Sequence, residues 1–213
     1  MTYQAFFFDF DGVLTDSMEI KTRAYAKLFK SHGADIVAKV VSHHRRNGGM
    51  ARQDKFQHYF KAFLKQPLDD VQMEQLCNSF SSLVVEEVAS CPEIQGAEDF
   101  LKRWHKKVFC FVVSAAPDGE LSEIIERRRW NGYFREVLGS ARSKQEHIAF
   151  LIKKYDLEPG KCLFFGDAES DYRAAMSSKV KFMGVLPSPD APLLGIAPNI
   201  NWTKNFDDLK RVN

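Results

Sequence analysis

The chain alternates short apolar runs with segments of helical periodicity over most of its length. Several of the runs are apolar at consecutive positions, as is typical of strands buried on both faces of a parallel sheet. The runs of strand length span residues 5–8, 108–113, 136–138, 162–165 and 180–185. Helical stripes cover residues 98–105, 120–130 and 144–155. This alternation predicts an α/β fold built on a doubly wound, Rossmann-like parallel sheet.

The stretch between the first two runs is too long for a single crossover connection and has no strand pattern. Its apolar stripes predict helices over residues 20–30, 53–64 and 68–88. We therefore expect an all-helical cap domain at residues 16–89, inserted into an α/β core formed by residues 1–15 and 90–213. The hinges are expected at Asp16–Ser17 and from Ser90 to Gly96, where the helical pattern breaks.

The composition fits a well-packed chain and argues against nucleic-acid binding. Of the 213 residues, 45% are hydrophobic and 13% aromatic, which is enough for a filled core. The net charge of +2 arises from 30 basic and 28 acidic residues, without the concentrated basic face of a nucleic-acid binder. The densest basic run, residues 127–129, lies near the end of a predicted helix, where cations complement the helix dipole.

Cysteine usage and hydropathy predict a cytoplasmic protein without a membrane partner. The four cysteines form no CxxC pair, and Cys110 and Cys162 lie in apolar runs, where a thiol acts as a small hydrophobe. No apolar stretch approaches the roughly 18 residues that a membrane span needs. Residues 1–4 also lack the basic and apolar regions of a signal peptide.

Two aspartates stand at the end of the first predicted strand. Asp9 and Asp11 are two residues apart, so an extended chain places both carboxylates on the same side. The sequence Asp11-Gly12 is also a hairpin signal, but a helical segment follows where a hairpin needs a second strand. We therefore interpret this pair as functional-site residues at the carboxyl end of the sheet, where ligands of open α/β sheets bind.

Other strand ends carry polar residues that suit a phosphate group. Ser114 and the backbone amides after it, beginning with Ala115, lie between a strand and a helix, where they either bind an oxyanion or cap the helix. Lys144 in the first turn of a helix opposes the dipole and is either a surface lysine or a partner for anions. Spacing alone does not decide between these alternatives.

Asp167 and Asp171 follow the fourth predicted strand and add two further carboxylates. They fit the acidic first turn that helices favour, although this explains Asp171 better than Asp167. If all four aspartates share a pocket, two carboxylates about 4 Å apart repel by roughly 4 kcal/mol at an effective dielectric of 20. A divalent cation relieves this repulsion, and hard oxygen ligands without His or Cys favour Mg²⁺.

Considered together, these motifs resemble the haloacid-dehalogenase-like hydrolase superfamily, in its phosphoglycolate-phosphatase-like branch with a helical cap. The matching segments are residues 9–17, Ser114, Lys144 and residues 166–171, in the family's order and over nearly the whole chain. One departure is Ser177-Ser178-Lys179, where the family's helix commonly ends in glycine. We expect this departure to affect stability and to leave the chemistry intact.

The resemblance implies a role for each motif residue. Asp9 would attack phosphorus to give an aspartyl-phosphate, and Asp11 would protonate the leaving oxygen and then accept a proton from water. Ser114, Ala115 and Lys144 would hold phosphoryl oxygens. The resemblance also implies that Mg²⁺ is held by the side chains of Asp9 and Asp167 and the backbone carbonyl of Asp11, while Asp171 orients Lys144 or the metal's waters.

The segment from residue 42 to residue 52 is the candidate for a cap loop that reaches the substrate. Its glycines, Gly49 among them, allow close backbone approach, and its cations suit a second anionic group on the substrate. Related capped enzymes often carry a Gly-x-x-Arg turn, which favours Arg52 first and Arg46 second. A solvated loop between helices is the alternative.

The sequence therefore predicts a Mg²⁺-dependent phosphatase that acts on a small phosphorylated metabolite, as a monomer or homodimer. The acid at Asp11 favours phosphoryl transfer, since the superfamily members that cleave carbon–halogen bonds lack an acid at this position. Two alternatives remain. A sugar-phosphate mutase uses the same aspartate nucleophile, and a catalytically idle binding subunit retains the fold.

Overall fold

The centre of the protein is an all-parallel sheet of six strands in the order β3-β2-β1-β4-β5-β6. The computed structural model describes residues 3–209. Its strands are β1 (Ala5–Phe8), β2 (Phe109–Val113), β3 (Glu136–Leu138), β4 (Cys162–Gly166), β5 (Lys181–Val185) and β6 (Trp202–Thr203). The doubly wound α/β fold is confirmed. The sequence interpretation lacked β6, because two residues at the sheet edge are too few for a pattern.

Helices cover both faces of the sheet and fill the long connection after β1. They are α1 (Met18–Leu28), α2 (Ala34–Arg46), α3 (Arg52–His58), α4 (Asp70–Ser90), α5 (Ala97–Trp104), α6 (Asp118–Arg127), α7 (Lys144–Lys154), α8 (Glu169–Ser177) and α9 (Pro192–Ile196). A π-helical segment, Tyr59–Leu64, continues α3. Within residues 3–209, none of these helices is long and apolar enough to cross a membrane.

Consecutive phenylalanines in β1 pack on opposite faces of the sheet. Phe6 and Phe8 belong to one hydrophobic cluster, together with apolar residues of α5 and α6. Phe7 belongs to the second cluster, under α7 and α8. Because both faces are covered, β1 is fully buried and holds the residue that follows it in a fixed position.

Four helices, α1–α4, lie between β1 and α5, where the sequence predicts a helical cap. The two connections to the core are paired: Asp16 N–H donates to the Pro92 carbonyl at 2.9 Å, and Ile94 N–H to the Leu14 carbonyl at 3.1 Å. The boundaries at residues 16 and 90 stay a prediction. Residues 1–2 and 210–213, which the prediction assigned to the core, lie outside the described residues.

The interpretation of residues 42–52 as one loop was wrong. Helix α2 extends to Arg46 and α3 begins at Arg52, so only residues 47–51 connect them. The last turns of α2, from Ser42 to Arg46, were taken for a loop because they are polar, yet His44 is buried in the cap and packs against Tyr25 with ring centroids 4.7 Å apart. A polar residue that finds a partner inside the fold weakens the apolar stripe on which the prediction depended.

Arg128 ties the core to the cap. Its Nη1 donates to the backbone carbonyls of Val88, Ala89 and Cys91, around the C-terminal end of α4. Its guanidinium also lies 4.3 Å from the centre of the Trp130 ring. The sequence placed this basic run at the end of its own helix, and Arg127 is indeed in the last turn of α6. Arg128 instead provides hydrogen-bond donors to the free carbonyls at the C-terminal end of α4.

Lys179 ends α8 in the left-handed conformation that glycine adopts most readily, with φ of 57°. Lys179 N–H bonds to the Met176 carbonyl and Val180 N–H to the Ala175 carbonyl, which is the Schellman pattern. We predict that Lys179→Gly raises the free energy of unfolding by about 0.5–1 kcal/mol, because the strain of a Cβ at positive φ is removed.

Urea denaturation measures this change. The matched control is Lys153→Gly, at an exposed position inside α7, which should lower stability by about 1 kcal/mol. Equal destabilisation by both substitutions contradicts the assignment of strain to Lys179.

Candidate active site

The site forms at the carboxyl end of β1, the strand between β2 and β4. Asp9 directly follows β1, and its N–H donates to the Phe165 carbonyl of β4 at 2.9 Å. This bond fixes the backbone, and the side chain faces a cavity that is also lined by Asp11, Ser114 and Ala115. Asp9 is only 5% exposed, so its carboxylate has lost most of its contact with water.

Gly12 brings the ends of β1 and β4 close together. Its φ is +79°, and a Cβ at this position would lie 2.6 Å from Oδ2 of Asp167. Any other residue would therefore force the Asp167 carboxylate to shift. The Asp11-Gly12 sequence is thus a tight turn that admits a carboxylate from the neighbouring strand.

Lys144 forms a buried ion-pair network with Asp171 and Asp9. Ser143 and Glu146 form the predicted capping box, which starts α7 and sets Lys144 as its first residue. Lys144 Nζ lies 2.5 Å from Asp171 Oδ1 and 2.9 Å from Asp9 Oδ1. All three side chains are at most 7% exposed, so this lysine is an active-site cation.

Both oxygens of Asp171 are held by protein donors. Oδ1 accepts from Lys144, and Oδ2 accepts from the backbone N–H groups of Asp167 at 3.2 Å and Ala168 at 3.0 Å. Asp171 therefore orients Lys144 and also shapes the turn that carries Asp167. Of the two roles that the resemblance implies for Asp171, this geometry matches the orientation of Lys144.

Asp11 is held by two residues around the start of the cap. Ser17 Oγ donates to its Oδ1 at 2.6 Å, and Lys21 of α1 forms an ion pair with its Oδ2. Burial by itself raises the pKa of Asp11, but the charge of Lys21 and the hydrogen bonds from Lys21 and Ser17 outweigh burial and lower it. Asp11 is therefore ionised in the free protein.

Ser114 follows β2 and lies in the wall of the same cavity. It is 2% exposed, its N–H donates to the Leu138 carbonyl, and its Oγ accepts from the N–H of Ala116. Part of the helix-cap alternative is therefore present, because the hydroxyl does bond a backbone amide. The hydroxyl hydrogen remains available to a bound oxyanion.

The acids of the site perturb one another. Burial, followed by the charges of Asp171 and Asp11, raises the pKa of Asp9 to about 6 even though Lys144 opposes the shift. Burial and the charge of Asp9 raise the pKa of Asp167 well above its usual range. Burial lowers the pKa of Lys144, but the charges of Asp171 and Asp9 outweigh this effect and raise it.

These carboxylates fit a bound magnesium ion. One oxygen from each of Asp9, Asp167 and Asp171 lies within 4.8 Å of the other two. Asp9 Oδ1 is buried without a hydrogen-bond donor of suitable geometry among the described residues, despite its proximity to Lys144. The donor set contains only oxygen, which suits Mg²⁺ and not zinc. Asp9 and Asp167 are the pair with unused ligand capacity.

The structure places the three predicted cap residues in different environments. Arg52 lines the cavity, but its Nη2 donates to both carboxylate oxygens of Glu120, at 2.8 and 2.7 Å. Arg46 is exposed at the end of α2. Gly49 abuts the core, since a Cβ there would lie 2.0 Å from Oγ of Ser170. Substrate binding by these residues stays a prediction.

Sequence reasoning missed several titratable residues of the site. Lys21, Lys55 and His44 line the cavity from the cap, and Glu120 neutralises Arg52 from the first turn of α6. None of them lies at a strand end or in a recognisable motif, and each is brought in by tertiary packing. Among these residues, only Lys21 had a signal in the sequence, because it lies ten residues after Asp11 at the start of a predicted helix.

The chain belongs to the haloacid dehalogenase-like hydrolase family. The family model matches residues 3–178, which contain Asp9, Asp11, Ser114, Lys144 and Asp167. The predicted resemblance is thereby confirmed, and so is the expectation that the protein is a hydrolase.

Curated relatives and a solved structure agree with this assignment. A phosphorylated carbohydrates phosphatase of Thermotoga maritima is 25% identical over 195 residues, covering 87% of this chain and 86% of that protein. A phosphoglycolate phosphatase of Pseudomonas fluorescens is 25% identical over 186 residues, covering 82% and 66%. The magnesium-bound HAD-hydrolase YfnB of Bacillus subtilis superposes with a TM-score of 0.72 at 16% identity, covering 98% and 97%.

The raised pKa of Asp9 has a consequence for the metal-free protein. Asp9 titrates near pH 6 in the fold and near 3.8 when unperturbed, so the folded protein holds an extra proton between these values. The stability that this proton supports is present below pH 4 and lost as pH rises through 6. We predict that Asp9→Asn stabilises the EDTA-treated protein by about 1–3 kcal/mol at pH 7.5 and has little effect at pH 4.

Chemical denaturation at the two pH values measures the difference. Saturating Mg²⁺ should stabilise the wild type by about 2–4 kcal/mol and the Asp9→Asn protein by less, because a ligand is lost. Asp99→Asn, at an exposed position on α5, is the matched control and should change neither result. If Mg²⁺ does not change the free energy of unfolding of the wild type, the assigned metal site is contradicted.

The Arg52–Glu120 pair joins cap and core in a buried setting. Ser81 of α4 donates to Glu120, and Arg52 stacks on Phe80 at 4.2 Å. We predict that Arg52→Met or Glu120→Leu alone lowers the free energy of unfolding by about 3–5 kcal/mol, because each leaves a buried charge unpaired.

The double substitution should recover most of this loss, since both charges are then absent. A double-mutant cycle by urea denaturation measures the coupling. If the two effects simply add, the pair is not a coupled buried contact.

Proposed function

We propose that this protein is a Mg²⁺-dependent phosphatase that hydrolyses a small phosphomonoester through a phosphorylated Asp9. The observation that carries the proposal is the position of Asp9, buried at the end of β1 with Lys144 at 2.9 Å and Asp167 close by. Family membership and the phosphatase activity of curated relatives support it. A carboxylate in this setting is held in place and needs no proton removed before it attacks.

In the first step, an Asp9 oxygen attacks phosphorus and the ester P–O bond breaks. Lys144 and the hydroxyl of Ser114 bind phosphoryl oxygens, aided by the backbone amide of Ala115. Lys144 is already fixed by Asp171, so little reorganisation accompanies the reaction. Bound Mg²⁺, held by Asp9 and Asp167, supplies electrostatic stabilisation of the transferring phosphoryl group.

Asp11 supplies and removes the proton in the two half-reactions. It protonates the leaving alkoxide, and afterwards it accepts a proton from the water that attacks the aspartyl-phosphate and releases inorganic phosphate. Lys21 keeps Asp11 ionised in the free protein, and a phosphate dianion bound beside Asp11 raises its pKa. The substrate thus promotes the protonated form that the first step needs.

The sugar-phosphate mutase is the second candidate, because it uses the same nucleophile and returns the phosphoryl group to the sugar. Products separate the two functions: a phosphatase releases inorganic phosphate, and a mutase yields an isomeric sugar phosphate. The idle binding subunit is disfavoured by the complete set of Asp9, Asp11, Lys144 and Asp167.

We predict Mg²⁺-dependent phosphate release from p-nitrophenyl phosphate and from a panel of small phosphate esters. Asp9→Asn should abolish turnover, because the nucleophile is lost. Asp11→Asn should lower kcat by about 10²- to 10⁴-fold, the usual contribution of a general acid–base. The exposed control Asp99→Asn should retain the wild-type rate. Full activity of the Asp9→Asn protein contradicts the proposal.

A further inference from the structure

A largely apolar cleft opens between the cap and the core, next to the catalytic cavity. Its volume is about 530 Å³, within the range of about 300–1,000 Å³ that small-molecule sites occupy. Apolar side chains line it from both sides: Met18 and Met50 of the cap, and Leu186, Pro187, Leu193 and Ile196 of the core. The catalytic steps described above use none of these residues.

The cleft adjoins the site of phosphoryl transfer. Met18, Gly49 and Met50 line both the cleft and the cavity that contains Asp9. Asp167 also lines the cleft, and one of its carboxylate oxygens lies within 4.8 Å of a carboxylate oxygen of Asp9. The organic group of a phosphomonoester bound at Asp9 is therefore within reach of the cleft.

The core wall of the cleft is held in place by packing and a hydrogen bond. Leu186 and Leu193 are 1% and 2% exposed, and Leu186 N–H donates to the Thr203 carbonyl of β6 at 2.9 Å. Ile196, at the end of α9, lines the cleft and is 50% exposed. A ligand with an apolar group would cover this side chain and gain from its burial. The family model matches residues 3–178, so this wall lies outside the matched region.

The charges around the cleft do not favour a second anionic group. Its lining contains three arginines and three carboxylates, so the formal charges balance. Arg45 pairs with Glu19 at 3.1 Å. Arg173 pairs with Glu169. Lys55, which has no carboxylate within ion-pair distance among residues 3–209, lines the catalytic cavity and not the cleft. The cleft therefore complements an uncharged group better than a phosphate or a carboxylate.

A second groove beside the catalytic cavity is polar and makes a different contribution. It has a volume of about 430 Å³, and its lining includes Ser114, Ser140, Arg142, Lys144 and Gln145. A polar group placed there exchanges hydrogen bonds with water for hydrogen bonds with protein, which yields little net free energy. Apolar surface placed in the first cleft leaves water altogether. The apolar cleft is thus the one that selects between organic groups.

We propose that this cleft binds an apolar organic group of the substrate, so that the enzyme prefers phosphomonoesters of apolar alcohols over polar esters of equal length. The inference rests on the proposed phosphatase function and adds the class of alcohol that is released. The phosphate is bound at Asp9, and the carbon chain lies between Met18 and Met50 of the cap and Ile196 of the core.

The test compares n-heptyl phosphate with 2-(2-methoxyethoxy)ethyl phosphate, which has the same chain length but carries ether oxygens in place of two methylenes. The wild type should prefer n-heptyl phosphate in kcat/KM by about 10-fold or more, since each buried methylene contributes about 4-fold. Ile196→Asn should reduce this preference about 3- to 10-fold, mainly through KM, and Ile196→Leu should keep it. The intrinsic reactivity of the two esters cancels when variants are compared.

Val71→Asn is the matched control, because Val71 is an exposed apolar residue of α4 that does not line the cleft. It should keep both the preference and the rate. Equal kcat/KM for the two esters with the wild type, or a preference for the ether, overturns the inference. An unchanged preference in Ile196→Asn also overturns it, and so does hydrolysis of p-nitrophenyl phosphate without hydrolysis of either ester. Circular dichroism confirms that the variants are folded.

Failure of the proposed function has a different signature. If the wild type hydrolyses neither these esters nor p-nitrophenyl phosphate, the phosphatase proposal fails, and calorimetry with n-heptylphosphonate then decides the role of the cleft. The wild type should bind it with a Kd about 3- to 10-fold lower than that of Ile196→Asn, and with a more negative heat-capacity change, the marker of apolar burial. An equal Kd and an equal heat-capacity change in both proteins overturn the inference independently of turnover.

Discussion

The crowding of carboxylates around Lys144 is the constraint on which the rest of this structure depends. Asp9 and Asp171 share its buried ammonium group, and Asp167 adds a further negative charge close by. One lysine does not balance three acids at low dielectric, and burial together with the remaining repulsion raises the pKa values of Asp9 and Asp167. A divalent cation would relieve this repulsion, so the proposed metal requirement and the proposed role of Asp9 as nucleophile would have the same origin.

The cap completes the site by supplying positive charge above these acids. Lys21 of α1 and Lys55 of α3 line the cavity, while Arg52 forms an ion pair with Glu120 of the core. The cap therefore provides both a structural ion pair and positive charge in the wall of the cavity.

Sequence patterns were informative where the chemistry follows a strand. The five apolar runs correspond to β1–β5, and the polar residues at their ends, Asp9, Ser114 and Asp167, converge because parallel strands share one carboxyl edge. The capping box of Ser143 fixed the start of α7 and thereby the position of Lys144. Local signals of this kind do not depend on the tertiary fold.

The remainder depended on contacts that no local pattern encodes. The last turns of α2 were taken for a loop because they are polar, and the burial of His44 there depends on tertiary packing. Arg52 fits a motif for substrate binding, yet its partner Glu120 is 68 residues further along the chain. The unmatched charge of Lys55 becomes visible only when every neighbouring cation has been paired in three dimensions.

A crystal structure with Mg²⁺ and fluoroberyllate tests the central claim most directly. We predict beryllium bonded to an Asp9 oxygen and Mg²⁺ held by Asp9 and Asp167, whereas beryllium on another residue or Asp167 turned away from the metal would contradict the account.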